Sequence, residues 1–98
     1  MDSLDIGTAT VSLFEPHVGD AFTLVDAMPI VLTEARELPH APHKEGVRQP
    51  FKLTFTGEAP MLLQGIHRLN HETVGTLEIF LVPIAGNGNS FTYEAVFN

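Results

Sequence analysis

Apolar and polar residues alternate with period two near the end of the chain, where Phe91, Tyr93, Ala95 and Phe97 interleave with Thr92, Glu94 and Asn98. A helix repeats every 3.6 residues and cannot hold such a pattern on one face, so the run reads as a β-strand. Residues 77–84 form a second β-prone run. Between the two lie Gly86, Asn87, Gly88, Asn89 and Ser90, residue types that take positive φ or turn positions at little steric cost. The two runs and their connection predict a C-terminal β-hairpin.

The same period recurs upstream. Phe51, Leu53 and Phe55 alternate with Lys52, Thr54 and Thr56, which gives a strand with one core face and one solvent face. Residues 21–25 predict a strand with Phe22 and Leu24 inward, and residues 30–38 its hairpin partner, with the charged residues late in that run facing water. Residues 66–71 predict a shorter strand. In the 77–84 run, Leu77, Ile79 and Leu81 oppose Phe80 and Val82, so burial on both faces is expected. Residues 6–15 are ambiguous between periods and read as a short turn or helix. Residues 39–50, with Pro39, Pro42 and Pro50, read as a long surface loop. The apolar segment 61–65, flanked by turn signals, reads as core filling, with an exposed contact ridge as the alternative. The count is about six strands at short intervals, the pattern of an all-β domain built as a small antiparallel barrel or sandwich.

A chain of 98 residues reads as one domain, 1–98, able to bury a single core without staples. It contains no cysteine, so disulfides, thiolate metal clusters and a cysteine nucleophile are excluded. Net charge is −7. Asp2, Asp5, Glu15, Asp20, Asp26 and Glu34 precede the first basic residue, Arg36, while Arg36, Lys44, Arg48 and Lys52 cluster in mid-chain. Most of this surface would repel phosphate, which disfavours nucleic acid as a partner. No apolar run approaches the ~20 residues of a membrane span. The opening residues Met1, Asp2, Ser3, Leu4 and Asp5 lack the basic and apolar stretches of a secretory signal, so the expectation is a soluble chain, cytoplasmic by default.

Five histidines raise the question of a metal. His67 and His71 would share a helical face, but on a strand they stand about 13 Å apart, too far for one ion. His40 and His43, three apart in the long loop, could share one, although exposed loop histidines are the simpler account. Of the serines Ser3, Ser12 and Ser90, none occupies a Gly-x-Ser-x-Gly elbow. No spacing nominates a carboxylate pair, and Gly86 and Gly88 lack the Lys-Ser/Thr that would complete a phosphate cradle. The residues therefore predict no catalytic, cofactor-binding or metal site and no enzyme.

Phe80-Leu81-Val82-Pro83-Ile84, followed by Tyr93-Glu94-Ala95-Val96-Phe97-Asn98, resembles the closing motif of a family of small bacterial domains of unknown function. Phe14-Glu15-Pro16-His17-Val18-Gly19-Asp20-Ala21-Phe22 is similar to that family's N-terminal signature, and Leu62-Leu63-Gln64-Gly65-Ile66-His67-Arg68-Leu69 to its central one. The resemblance implies a stand-alone chain encoded near phage-tail-collar-type proteins, hence a structural or assembly role beside a phage-tail-like or fibre protein. It carries no catalytic residues, and it implies backbone roles for Gly19, Gly65 and Gly75 and core or cross-strand roles for Phe80, Tyr93 and Phe97. The expected function is a non-catalytic module that contacts another protein or itself. The alternative is a barrel that holds a small ligand inside.

Overall fold

The computed structural model describes residues 7–24, 28–39 and 49–98. The loop histidines His40 and His43 lie outside the described residues. A short helix α1 (Val11–Phe14) runs into one 3-10 turn (Glu15–His17), and six strands follow: β1 (Ala21–Leu24), β2 (Pro29–Glu37), β3 (Phe51–Glu58), β4 (Gly65–His71), β5 (Gly75–Asn87) and β6 (Ser90–Phe97). They close into a barrel in the order β1-β2-β3-β6-β5-β4, which decides between barrel and sandwich. Every neighbouring pair is antiparallel.

Alternation explains the interior. Phe22 and Leu24, Ile30 and Leu32, Phe51, Leu53 and Phe55, Leu69, then Leu77, Ile79 and Leu81, and finally Tyr93, Ala95 and Phe97 are all buried. Fully burying each large side chain contributes on the order of 1.5–3 kcal/mol. Phe22 meets Phe55 edge-on with centroids 5.6 Å apart. At one end Phe51 and Phe97, opposite one another in the β3–β6 register, stack at 4.5 Å, and Phe14 of α1 packs against both at 5.9 and 6.1 Å. The helical turn is therefore a plug: Phe14, Val11 and Leu13 cap an apolar opening that strands alone would leave wet.

Gly57 shows how closely β3 passes β2. A Cβ there would stand 2.7 Å from the Ile30 Cγ2. The β5–β6 hairpin turns at Gly88, with φ 64°, as the residue types of its connection predict. Leu38 N–H donates to the Pro50 carbonyl at 2.8 Å, and the Gln49 side-chain amide donates to the Leu38 carbonyl, so the two ends of the long loop are tied together.

Two expectations about apolar residues fail. Burial of residues 77–84 on both faces does not occur, because a barrel has one interior: Leu77, Ile79 and Leu81 fill it, and Phe80 stands outside, 50% exposed. Nor does 61–65 fill the core. Met61 and Leu63 are exposed, and only Leu62 packs partly against the interior. That segment is tied to the interior by Leu62 N–H, which donates to the buried Tyr93 hydroxyl at 2.9 Å.

Removing residues 93–98 takes most of β6 from both β3 and β5. The truncated chain is expected to lose its cooperative thermal transition by circular dichroism, and an unchanged melt would show the strand to be dispensable. Tyr93→Phe keeps the ring and deletes the acceptor for Leu62, with an expected cost of about 1–3 kcal/mol by urea unfolding.

Candidate functional site

The barrel is least continuous between its first and fourth strands. Among the described residues, only Thr23↔Asn70 and Leu24↔Leu69 pair β1 with β4, against eight pairs from Phe51↔Phe97 to Glu58↔Ser90 between β3 and β6. Beyond those two pairs the seam is bridged by side chains. Asp20, immediately before β1, accepts at Oδ2 from His71 Nε2 at 2.9 Å, and His71 is the last residue of β4, 51 positions away. The same oxygen accepts from His17 Nδ1 at 3.0 Å.

Local backbone geometry places these groups. After the 3-10 turn the chain reverses at Gly19, where φ is 99°, a conformation that strains an L side chain. Gly19 N–H donates to the Leu32 carbonyl at 2.7 Å and Leu32 N–H to the Asp20 carbonyl at 3.0 Å, while Asp20 N–H donates to the His17 carbonyl at 2.9 Å. Asp20 is thus tied by its backbone to β2 and to the turn, and by its side chain to β4. His71 is the more buried partner; Asp20 is half-exposed. The His71 ring lies on Phe22 with centroids 4.5 Å apart and meets His17 edge-on at 4.6 Å.

Hydrogen bonding fixes the His71 tautomer. Its Nδ1 accepts from the backbone N–H groups of Thr73 and Val74, both at 3.0 Å, which holds the β4–β5 turn. A neutral imidazole has one lone-pair nitrogen, so Nε2 must carry the proton that it donates to Asp20. Donation from His71, and then from His17, holds the Asp20 carboxyl below its ordinary range, against a smaller opposing effect of desolvation.

His17, Asp20 and His71 are metal-ligand types with donor atoms within 4.8 Å of one another. The tautomer argues against their use together. To bind a cation through Nε2, His71 would have to move its proton to Nδ1, directly against two backbone N–H donors. Metal-bound histidines show the reverse arrangement, with the second nitrogen donating to an acceptor. The trio suits a structural clasp better than a metal centre. It lines an open cleft of about 450 Å³ with Gly19, Glu72 and Thr73.

The other sequence candidates do not join it. His67 Nε2 lies 2.8 Å from the Leu63 carbonyl oxygen, away from His71. Ser12 is hydrogen-bonded to Thr10 at 2.9 Å, and Ser90 sits at the opposite end of β5 from the His71 turn. Sequence reasoning tested His71 against the wrong histidine. The i,i+3 spacing of His17 and Asp20 in a turn was visible, but no local pattern announces a partner 51 residues distant.

On the outer wall, Lys52 lies between Glu94 at 3.4 Å and Glu34 at 3.9 Å, and Arg68 reaches Glu78 at 3.7 Å. Beside that charged lattice stand apolar groups. Ile66 is 70% exposed and opposes Phe80 across β4 and β5, and Leu63 is 76% exposed. Among the described residues no helix is long and apolar enough to cross a membrane.

These features define a small all-β domain: a closed six-stranded antiparallel barrel, plugged at one end by a helical turn and clasped along its shortest seam by Asp20 and His71. The chain belongs to the family described as a domain of unknown function (DUF6916), whose model matches residues 9–97. No curated protein and no solved structure matches it.

Because the folded-state pKa of Asp20 is lowered, its contribution to stability is complete above the ordinary carboxylate range near pH 4 and is lost as pH falls through the lowered value. The gap in urea midpoint between wild type and Asp20→Ala should therefore be widest near pH 6 and shrink below about pH 4; a gap independent of pH would reject the assignment. Zn²⁺ at a few equivalents is expected to leave the melting temperature unchanged. A stoichiometric rise abolished by His71→Ala would show that the ring turns to bind metal.

Proposed function

We propose that this protein is a non-catalytic structural or assembly module that acts through protein–protein contacts on the outside of its barrel. The observation that carries the reading is the cross-strand pair Ile66 and Phe80, displayed on the outer wall with Leu63 and Met61 also exposed. Large apolar side chains grouped on a surface mark contact sites more often than scattered ones do. The neighbouring Arg68–Glu78 pair supplies a polar rim that could set register with a partner.

Several features support the reading over its competitors. The positions that face the interior are filled by Phe, Leu, Ile and Tyr side chains, as in barrels too small to leave a ligand cavity. At the seam both ring nitrogens of His71 are engaged, Nε2 with Asp20 and Nδ1 with the backbone N–H groups of Thr73 and Val74, which leaves His71 unsuited to proton transfer. The resemblance to small bacterial chains encoded near phage-tail-collar-type proteins suggests a phage-tail-like or fibre protein as the partner. A net charge of −7 suits neither nucleic acid nor an anionic membrane surface, and the protein is taken to be soluble and cytoplasmic.

The test is co-purification from the native host with a tagged wild-type chain and an Ile66→Lys, Phe80→Lys double variant. Both positions are exposed, so the variant should melt within a few degrees of wild type and fail to retain the partner. A variant that retains the same partner equally well, or a wild-type chain that stays strictly monomeric and retains no protein, would overturn the proposal.

A further inference from the structure

His71 uses both ring nitrogens at once. Nε2 donates to Asp20 Oδ2 at 2.9 Å, and Nδ1 accepts from the backbone N–H groups of Thr73 and Val74, each at 3.0 Å. A neutral ring protonated on Nε2 makes all of these contacts, whereas an imidazolium cannot, because both of its nitrogens are donors. A proton on Nδ1 points at two N–H groups that have lost their acceptor. Proton and turn therefore compete for one lone pair.

The effect of that competition falls on one side of the ring. The Asp20 contact survives protonation and becomes charge-assisted, since Nε2 keeps its proton and the carboxyl, held below its ordinary range by donation from His71 and then His17, is ionised wherever imidazoles titrate. The turn has no such compensation. Among the described residues, the N–H groups of Thr73 and Val74 donate only to this ring. Residues 72–74 form the turn between β4 and β5, and Glu72 and Thr73 also line the cleft of about 450 Å³ beside His17, Gly19 and Asp20.

His17 answers acid differently. Its Nδ1 donates to the Asp20 carboxylate at 3.0 Å, and its Nε2, without a hydrogen-bond partner among the described residues, takes a proton without breaking a contact. The ionisable groups around the His71 ring are thus Asp20 ahead of β1, His17 in the 3-10 turn at 4.6 Å between centroids, and Glu72 in the turn itself, with Phe22 of β1 against the ring face. Lys52 and Arg68 are engaged with carboxylates on the outer wall.

We propose that the β4–β5 turn is a proton-operated flap on the cleft: uptake at His71 Nδ1 releases residues 72–74, while Asp20 goes on holding the seam. The open turn binds a proton that the closed turn excludes, so acid shifts the population toward it by up to about tenfold per pH unit. Acidity would then govern a contact made at the cleft and leave the Ile66 and Phe80 wall as it is. The flap goes beyond the assembly reading and stands without it.

Amide exchange followed by NMR from pH 8 to pH 5, corrected for intrinsic rates, tests the flap, with the ring nitrogen shifts of His71 read in the same samples. At pH 8 the ring should be the Nε2–H tautomer. As the Nδ1 proton arrives, Thr73 and Val74 should lose about tenfold or more in protection while the β3–β6 ladder keeps its own. His71→Gln, which offers a donor and an acceptor but does not titrate, should abolish the pH dependence, and His17→Gln should retain it. If His71→Gln does not fold, the coincidence of nitrogen shift and lost protection in wild type decides alone. An imidazolium at His71 with Thr73 and Val74 still protected would overturn the flap. So would a turn as protected at pH 5 as at pH 8, an equal loss across the β3–β6 ladder, a pH dependence that persists in folded His71→Gln, or one that disappears in His17→Gln.

Discussion

Two backbone register pairs and one shared carboxylate oxygen close the ring between β1 and β4. Among the described residues every other seam is a longer ladder that follows from chain connectivity or from extended pairing, whereas this one joins segments 51 residues apart across two register pairs. The clasp sits where cross-strand hydrogen bonding runs out. Asp20 gathers β2, the 3-10 turn and the end of β4, and His71 passes the constraint into the β4–β5 turn through its other nitrogen. A half-exposed carboxylate is a weak element by itself. Its importance here is topological, because opening this seam turns a barrel into an open sheet with two free edges.

Much of that architecture was legible because period-two patterning is a local signal. Phe51, Leu53 and Phe55 had to share a face whatever lay opposite them, and the Gly88 turn follows from residue types that take positive φ cheaply. Distinguishing barrel from sandwich needed the β1–β4 pairing, which no neighbouring residues encode. The surface status of Phe80, Met61 and Leu63 was misread for a related reason: hydrophobicity reports what a residue prefers, and only the closed geometry shows which side is inside. The 61–65 segment looked like core because it is apolar, yet a crossing chain can bury one side chain, Leu62, and leave its neighbours outside. The seam cluster was the hardest to foresee. His17 and Asp20 stood together in the sequence, while the residue that gives them meaning lay at the far end of another strand.

Interior and exterior divide the work of the sequence. Inside, aromatic stacking at the plug and packed apolar side chains hold the strands to one another. Outside, charged pairs around Lys52 alternate with apolar groups on β4 and β5, and one strand overruns its neighbour without a charge along its flank. The proposed assembly role draws on this division, since contacts made on the outer wall would demand little rearrangement of a packed interior.

The β3–β6 ladder also sets the order of events during synthesis. β3 pairs along its whole length with residues that the ribosome adds 32 to 46 positions later, from Glu58 with Ser90 at one extreme to Phe51 with Phe97 at the other. Until β6 has emerged from the exit tunnel, the other strands can form only an open sheet in the order β3-β2-β1-β4-β5, with β3 at one edge and Phe51, Leu53 and Phe55 lacking their β6 neighbours. The nascent chain therefore has a window in which β3 is an unpaired edge, and that window closes only when translation has passed β6.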